Sequence, residues 1–212
     1  MSTDRILVLG SDCDAIRTLT SALAREAEID FEPLPPLGAT DTFESWRNKT
    51  GLEAPQSRIV VAPWNDAPQK GALMELGGEQ WRARFEAPFL LWNFALGAAA
   101  RRVADGGSIV GLVQNAAALD APGWTPEFAV ADGALSLIRS VASSQGARGV
   151  RANLVSSPIG LVTSDVILPK PPLDLFPGSL EEEVAGSIRL LLSKDAKGLT
   201  GRLLPADGGR SL

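Results

Sequence analysis

The chain has 212 residues, of which 20 are basic and 25 acidic, so its formal net charge is −5. It contains no His, no Tyr and a single Cys. This composition excludes imidazole-based catalysis and metal binding, a phenolic acid–base group, and any disulfide within the chain. The acidic balance also argues against general nucleic-acid binding, which needs a cationic surface.

Short apolar runs alternate with helical periodicity along the whole chain. Continuous apolar runs are typical of strands buried on both faces, and apolar stripes of helical spacing are typical of helices. In chain order the pattern predicts a strand at 6–9, a helix at 14–28, a strand at 30–34, a helix at 42–49, a strand at 58–62, a helix at 79–104, a strand at 107–113, a helix at 126–144, a strand at 151–155, a helix at 180–192 and a strand at 203–206. This alternation predicts an α/β fold, a Rossmann-like doubly wound parallel sheet, in a single domain over 1–212.

The segment between the second and third predicted strands is too short for a complete Rossmann half. A strand–helix–strand unit takes roughly 30 residues or more. Only one crossover fits between 30–34 and 58–62. We therefore expect that one strand–helix unit has been deleted after the second strand.

The N-terminal apolar run, Ile6 to Leu9, is far too short for a signal sequence or a membrane span. A spanning helix needs about 20 apolar residues, and no other stretch of that length is free of charges. We therefore expect a cytoplasmic protein that contacts neither membrane nor nucleic acid.

Five motifs follow one another between residues 81 and 209. They lie at 81–86 (Trp-x-x-x-Phe-Glu), 106–110 (Gly-Gly-Ser-Ile-Val), 128–135, 149–153 and 199–209 (Leu-Thr-Gly-Arg-Leu-Leu-Pro-Ala-Asp-Gly-Gly). In this order and spacing they resemble the short-chain dehydrogenase/reductase family, especially its 3-oxoacyl-carrier-protein-reductase-like members. The resemblance implies a glycine-rich loop that binds NAD(P), and catalytic Asn, Ser, Tyr and Lys residues.

The glycine-rich loop is degenerate in this chain. Where the family has Thr-Gly-x-x-x-Gly-x-Gly, only Gly10 remains, and Asp14 and Ile16 replace the two later glycines. Those glycines permit backbone approach to the pyrophosphate and close helix–strand packing. Asp12 and Asp14 also place negative charge where an anion would bind, and both are typical N-cap residues. We therefore expect this chain to bind no cofactor.

The family's catalytic positions are also replaced. By the resemblance, the Asn, Ser, Tyr and Lys positions correspond here to Pro88, Gln114, Phe128 and Asp132, and Trp64 replaces the last residue of an Asn-Ala-Gly signature. Phe128 has no proton to exchange, and Asp132 reverses the charge of the Lys. Acid–base catalysis needs a titrating group in reach, so we expect no catalytic residue at these positions.

Two residues leave some chemistry open. Asp132 is a carboxylate near the former active site and could act as a base in a non-redox reaction; the alternative is a solvated helix residue. Cys13 lies near a helix N-terminus, which can lower a thiol pKa; the alternative is an inert thiol.

The segments that pair subunits in this family are kept. The helix at 79–104 is apolar nearly all round, so it must be covered on more than one side, by a partner or by the same chain. The resemblance implies pairing through 79–104, 126–144 and the C-terminal segment 199–212. The family's substrate lid, 156–179, holds five prolines here, which favour a fixed contact surface over a moving lid.

Together these features predict a non-catalytic subunit that pairs with an active NAD(P)-dependent paralogue in a heterodimer or heterotetramer. The chain resembles the inactive subunit of heteromeric family members such as the benzylsuccinate-pathway hydroxyacyl-CoA dehydrogenase. That resemblance implies that the partner binds NAD(P) and acts on a hydroxyacyl substrate, such as an acyl-CoA. Two alternatives remain: a stand-alone non-redox enzyme that uses Asp132 or Gln114, and an acyl-ligand-binding module.

Overall fold

A six-stranded parallel sheet forms the centre of the molecule. The computed structural model describes residues 5–65, 70–115, 123–161, 172–173 and 179–211. The strands are β1 (Arg5–Gly10), β2 (Glu28–Pro33), β3 (Gln56–Ala62), β4 (Val103–Gln114), β5 (Arg151–Ser157) and β6 (Leu203–Pro205). Their order in the sheet is β2-β1-β3-β4-β5-β6, and every neighbouring pair is parallel. The predicted Rossmann-like fold is therefore confirmed.

Helices cover both faces of the sheet. They are α1 (Asp14–Leu23), α2 (Phe43–Thr50), α3 (Gly78–Trp81), α4 (Ala87–Arg102), α5 (Thr125–Gln145) and α6 (Ala185–Leu192), with π-helical turns at Arg82–Glu86 and Leu180–Val184. One hydrophobic cluster joins α2, α4 and α5 to the sheet, and a second joins α1 and α6 to its other face. None of the helices in the described ranges is long and apolar enough to cross a membrane.

The predicted deletion after the second strand is confirmed by the topology. Only one α-helix, α2, lies between β2 and β3, and β3 returns to pair with β1 on the side opposite β2. Strand β2 is consequently an edge strand, and its residues are at most half-buried. The buried Arg102 guanidinium binds the carboxylate of Glu32 at 2.6 Å and lies 3.7 Å from that of Asp30 on this edge.

Two predicted helices end earlier than their sequence patterns indicate. Helix α1 ends at Leu23 rather than at residue 28, because a turn follows and Glu28 already pairs with Arg5 in the sheet. The long helix ends at Arg102 rather than at residue 104, because Val103 takes an extended backbone conformation and begins β4. Most of the predicted lid, 156–179, lies outside the described residues.

Neighbouring helices of the same chain cover most of α4. Phe94 packs edge-on against Phe43 of α2, with 6.1 Å between ring centroids. Phe89 lies over Gly133 of α5, where an added Cβ would be 2.5 Å from the Phe89 ring. Among the large apolar side chains of α4, only that of Leu90 is exposed, at 41%. Packing within the chain thus explains most of this helix's apolar surface, and pairing through it stays a prediction.

Candidate functional site

The candidate site lies at the carboxyl ends of β1 and β3. The connection from β1 leads outward to β2, whereas the connection from β3 leads to β4 on the other side. In doubly wound sheets, ligands bind in the crevice beyond the carboxyl ends of the strands at such a switch point. The loops after β1 and β3 are therefore the segments between which a dinucleotide would lie.

Direct hydrogen bonds join these two loops. The Ser11 backbone N–H donates to the Ala62 carbonyl at 3.1 Å, and the Trp64 N–H donates to Ser11 Oγ at 2.9 Å. The Trp64 side chain is 6% exposed and packs in the cluster beneath α1 and α6. On the other side of β1, the Leu34 N–H donates to the Gly10 carbonyl at 2.9 Å. These bonds and the buried indole hold the two loops together at the switch point.

The remaining glycine of the loop serves packing. A Cβ added at Gly10 would lie 2.8 Å from Ile16 Cγ2 and 3.2 Å from Phe31 Cε2. Ile16 is fully buried in the core between α1 and the sheet. The residue that replaces the family's third glycine therefore fills the space against the first, and Gly10 is required by this contact.

Asp12 and Asp14 bind an arginine at the start of α1. The N-cap residue of this helix is Cys13, which makes no side-chain cap, so the predicted capping role of the two acids is wrong. Arg17 binds the Asp12 carboxylate at 2.8 Å and the Asp14 carboxylate at 2.6 Å. The hydrogen bond to Asp12 is the main cause that raises the pKa of the Arg17 guanidinium. Cys13 itself is half-buried against the core.

The side-chain amide of Gln114 is bonded at both ends to one backbone segment. Its Nε2 donates to the Asn65 carbonyl at 2.9 Å, and its Oε1 accepts from the Asn65 N–H at 3.1 Å. A side chain at Gly160, whose φ is +85°, would collide with Gln114 Nε2 at 2.7 Å. Gln114 therefore fixes the loop after β3 against the end of β4.

Beside this loop, the described residues line a partly open cavity of about 70 Å³. Its walls are mainly apolar and include Trp64, Pro88, Leu91, Trp92 and Val113, with polar groups from Ser11, Asn65, Arg84, Gln114 and Glu127. The structure thus brings Pro88 and Gln114 to one cavity wall. Phe128 is half-buried, Asp132 is exposed, and neither lines this cavity.

A largely buried ion pair lies in the cavity wall and was not predicted from the sequence. Arg84 Nε and one terminal nitrogen donate to the two oxygens of Glu127 at 2.8 and 2.7 Å, and both side chains are 12% exposed. The same terminal nitrogen donates to the Gly123 carbonyl at 2.9 Å. The helical spacing could have indicated that Glu127 faces the interior, because it shares a face of α5 with the buried residues Val130 and Ala134.

The sequence comparisons find no match, whereas the structure comparisons find many proteins with a similar fold. No protein-family model and no curated protein matches the sequence. Among solved structures, a short-chain dehydrogenase/reductase from Mycobacterium ulcerans has a TM-score of 0.74 at 18% identity, over 99% of this chain and 90% of that one. A short-chain dehydrogenase/reductase from Serratia marcescens has a TM-score of 0.72 at 18% identity, over 99% of both chains. The chain has the short-chain dehydrogenase/reductase fold. A third protein with this fold, described as a dehydrogenase from Burkholderia cenocepacia with bound NADP, has a TM-score of 0.71 at 16% identity, over 99% of this chain and 94% of that one.

Within this short-chain dehydrogenase/reductase fold, the described residues contain no cluster of His, Cys, Asp or Glu that could hold a metal ion. The titrating groups at the cavity are Arg84 and Glu127, which bind one another. The arrangement is a mainly apolar, partly open cavity with a neutralised charge pair in its wall.

Proposed function

We propose that this chain is a non-catalytic subunit that binds no NAD(P) itself and pairs with an active NAD(P)-dependent paralogue. The proposal is supported above all by the contacts between the loops after β1 and β3. Ser11, Ala62 and Trp64 join the two loops at the switch point, and Trp64 is buried there. A dinucleotide at this place would have to break these bonds and displace the indole into water.

The catalytic positions support the same proposal. Gln114 is held at both ends by the backbone of Asn65, so its amide is engaged by the chain itself. The carboxylate at the cavity, Glu127, accepts from Arg84 at both oxygens. Acid–base catalysis needs a group that can take or give a proton to substrate, and this pairing occupies the available carboxylate.

The pairing surface we propose is formed by α4, α5 and the C-terminal segment 199–212. Leu90 offers an exposed apolar side chain on the outside of α4. Asp207 is 3% exposed, and its oxygens accept from the backbone N–H groups of Gly209 and Ser211 at 2.9 and 3.1 Å, which gives the C-terminal segment a defined turn. The cytoplasmic partner would hold NAD(P) and act on a hydroxyacyl compound, such as an acyl-CoA, in a heterodimer or heterotetramer.

The test is purification of the tagged chain from its own host, followed by mass spectrometry of the intact complex. We expect a stoichiometric subunit with an intact glycine loop and catalytic Ser, Tyr and Lys, and a complex with NAD(P)-dependent activity. L90D should disrupt this complex. The matched control is L190D on α6, at the opposite face of the sheet, because Leu190 is 49% exposed against 41% for Leu90.

Two outcomes would contradict the proposal. One is a stable homomer with no paralogue bound at any protein concentration that the host reaches. The other is saturable binding of NADH or NADPH by the isolated chain, measured by calorimetry at cofactor concentrations that saturate an active member of the fold family.

A second function, a ligand-binding module, is favoured by the cavity between the sheet and helices α4 and α5. Apolar walls with a few convergent polar groups are typical of small-molecule sites. This function is compatible with pairing and needs no cofactor. No observation favours the stand-alone enzyme, because Asp132 is exposed away from the cavity and Gln114 is bonded to Asn65.

A further inference from the structure

The outer side of α2 lines an open groove beside β2. Phe43 buries the inner side of this helix against α4, where its ring packs on that of Phe94. The groove is lined by the end of β2 and the residues after it, Pro33, Leu34 and Pro35, and by one set of residues from α2 and the turn before it, Thr42, Ser45, Trp46 and Lys49. We call this second set the α2 face. Its spacing of i, i+3, i+4 and i+7 is that of a single side of a helix.

The deletion after β2 leaves the α2 face uncovered. β2 is the edge strand, and residues 34–55, which are all described, contain no further strand before β3. Shortly after the helix, the Leu52 side chain is 86% exposed. A mainly apolar groove with an exposed leucine close to it in the chain is typical of a contact with another molecule.

Charges of opposite sign lie at the two ends of the α2 face. Asp41 directly precedes Thr42, and Lys49 is in the last turn of α2. Both side chains are exposed, and neither forms an ion pair with a described residue. They are eight positions apart, which separates the two backbone positions by roughly 12 Å along a helix. A partner that uses both charges must present the opposite charges at the same spacing.

The α2 face presents that pattern itself when it is turned round. We propose that α2 of one copy of this chain packs antiparallel on α2 of a second copy, about a two-fold axis at Ser45. Ser45 is halfway between Asp41 and Lys49, so the axis places each Lys49 beside the other copy's Asp41. The short Ser45 side chain permits close approach at the axis, and Trp46 supplies apolar contact next to it. Charges of both signs, placed symmetrically about one small residue, fit a second copy better than a partner of single charge.

This inference goes beyond the proposed function and does not depend on it. The surface proposed for the paralogue is formed by α4, α5 and 199–212, and the α2 face shares no residue with it. With a paralogue bound at that surface, self-pairing through α2 would join two heterodimers into a heterotetramer.

The test is sedimentation velocity of the isolated chain over a range of protein concentrations at low ionic strength. We expect a monomer–dimer equilibrium with a dissociation constant below about 1 mM. The dimer should weaken as salt is added, because salt screens exposed ion pairs.

Exchange of the two charges identifies the surface. D41K and K49D each make both symmetry-related pairs repulsive, so each should weaken self-association about 5–30-fold. An equimolar mixture of the two variants restores both pairs and should associate as the parent chain does, and so should D41K/K49D. The matched control is D195K, which makes the same charge change as D41K at an exposed position after α6 and should have no effect. L90D, on the surface proposed for the paralogue, should also leave self-association unchanged.

Four results would overturn the inference. They are a monomer at every concentration up to about 1 mM, self-association that D41K and K49D leave intact, a mixture that associates no better than its two components, and self-association that L90D abolishes. The last result would assign the self-contact to α4 instead. All four are measured without the paralogue, so they are distinguishable from a failure of the proposed function.

Discussion

Replacement of Glu127 by Leu should destabilise the chain strongly. In the structure each Glu127 oxygen accepts one bond from Arg84, and both side chains are 12% exposed. E127L leaves a largely buried guanidinium whose remaining acceptor among the described residues is the Gly123 carbonyl. Removing one member of a buried ion pair costs roughly 3–5 kcal/mol. At about 2–4 °C per kcal/mol for a domain of this length, Tm should fall by about 6–20 °C.

The double variant R84M/E127L tests the reason for this loss. It removes both charges, so the free energy of unfolding should return to within about 2 kcal/mol of the parent chain. Urea unfolding followed by circular dichroism measures all variants. E86L, at an exposed glutamate two residues after Arg84, is the control and should change stability by less than about 0.5 kcal/mol. An E127L cost below about 1 kcal/mol, or a double variant no more stable than E127L, would contradict the ion-pair explanation.

Three further substitutions test the other contacts of the site. G10A should cost about 1–3 kcal/mol in urea unfolding because its Cβ meets Ile16 Cγ2; an unchanged midpoint for G10A would exclude the packing role of Gly10. Q114S should cost about 1–3 kcal/mol because the Asn65 backbone loses two hydrogen bonds. It should confer no NADH-dependent activity on the isolated chain. Measurable turnover would show that a single substitution restores catalysis. D132N should change stability by less than about 0.5 kcal/mol and leave any activity of the paired complex intact, since Asp132 is exposed; a larger effect would give this carboxylate a role.

The order of elements was predictable because it depends on local patterns. Central strands are buried on both faces, so they appear in the sequence as continuous apolar runs, as β1 and β4 do. The missing unit was predictable from chain length alone. Helix ends were less predictable, since the end of α1 depends on the pairing of Glu28 with Arg5 in the sheet.

For the site, the sequence predicted only which positions differ from the family pattern, and not which residues they contact. The sequence shows that Trp64 and Gln114 differ from the family pattern, but their partners lie far away along the chain. Ser11 bonds Trp64 across 53 residues, and Gln114 bonds Asn65 across 49. Such pairs exist only once the sheet has assembled. Glu127 was missed for another reason: the motif drew attention to Phe128, whereas the helical face of Val130 and Ala134 includes the preceding residue.

The contacts between the loops after β1 and β3 predict that a single reversion would not create a cofactor site. Gly at position 16 would remove a fully buried side chain and leave a cavity beneath Gly10, at a cost of several kcal/mol. The loops would still be joined through Ser11 and Trp64, and the acids on Arg17 would still face an incoming pyrophosphate. On the proposed function, we therefore expect that no single substitution among these residues gives the isolated chain saturable NADH binding.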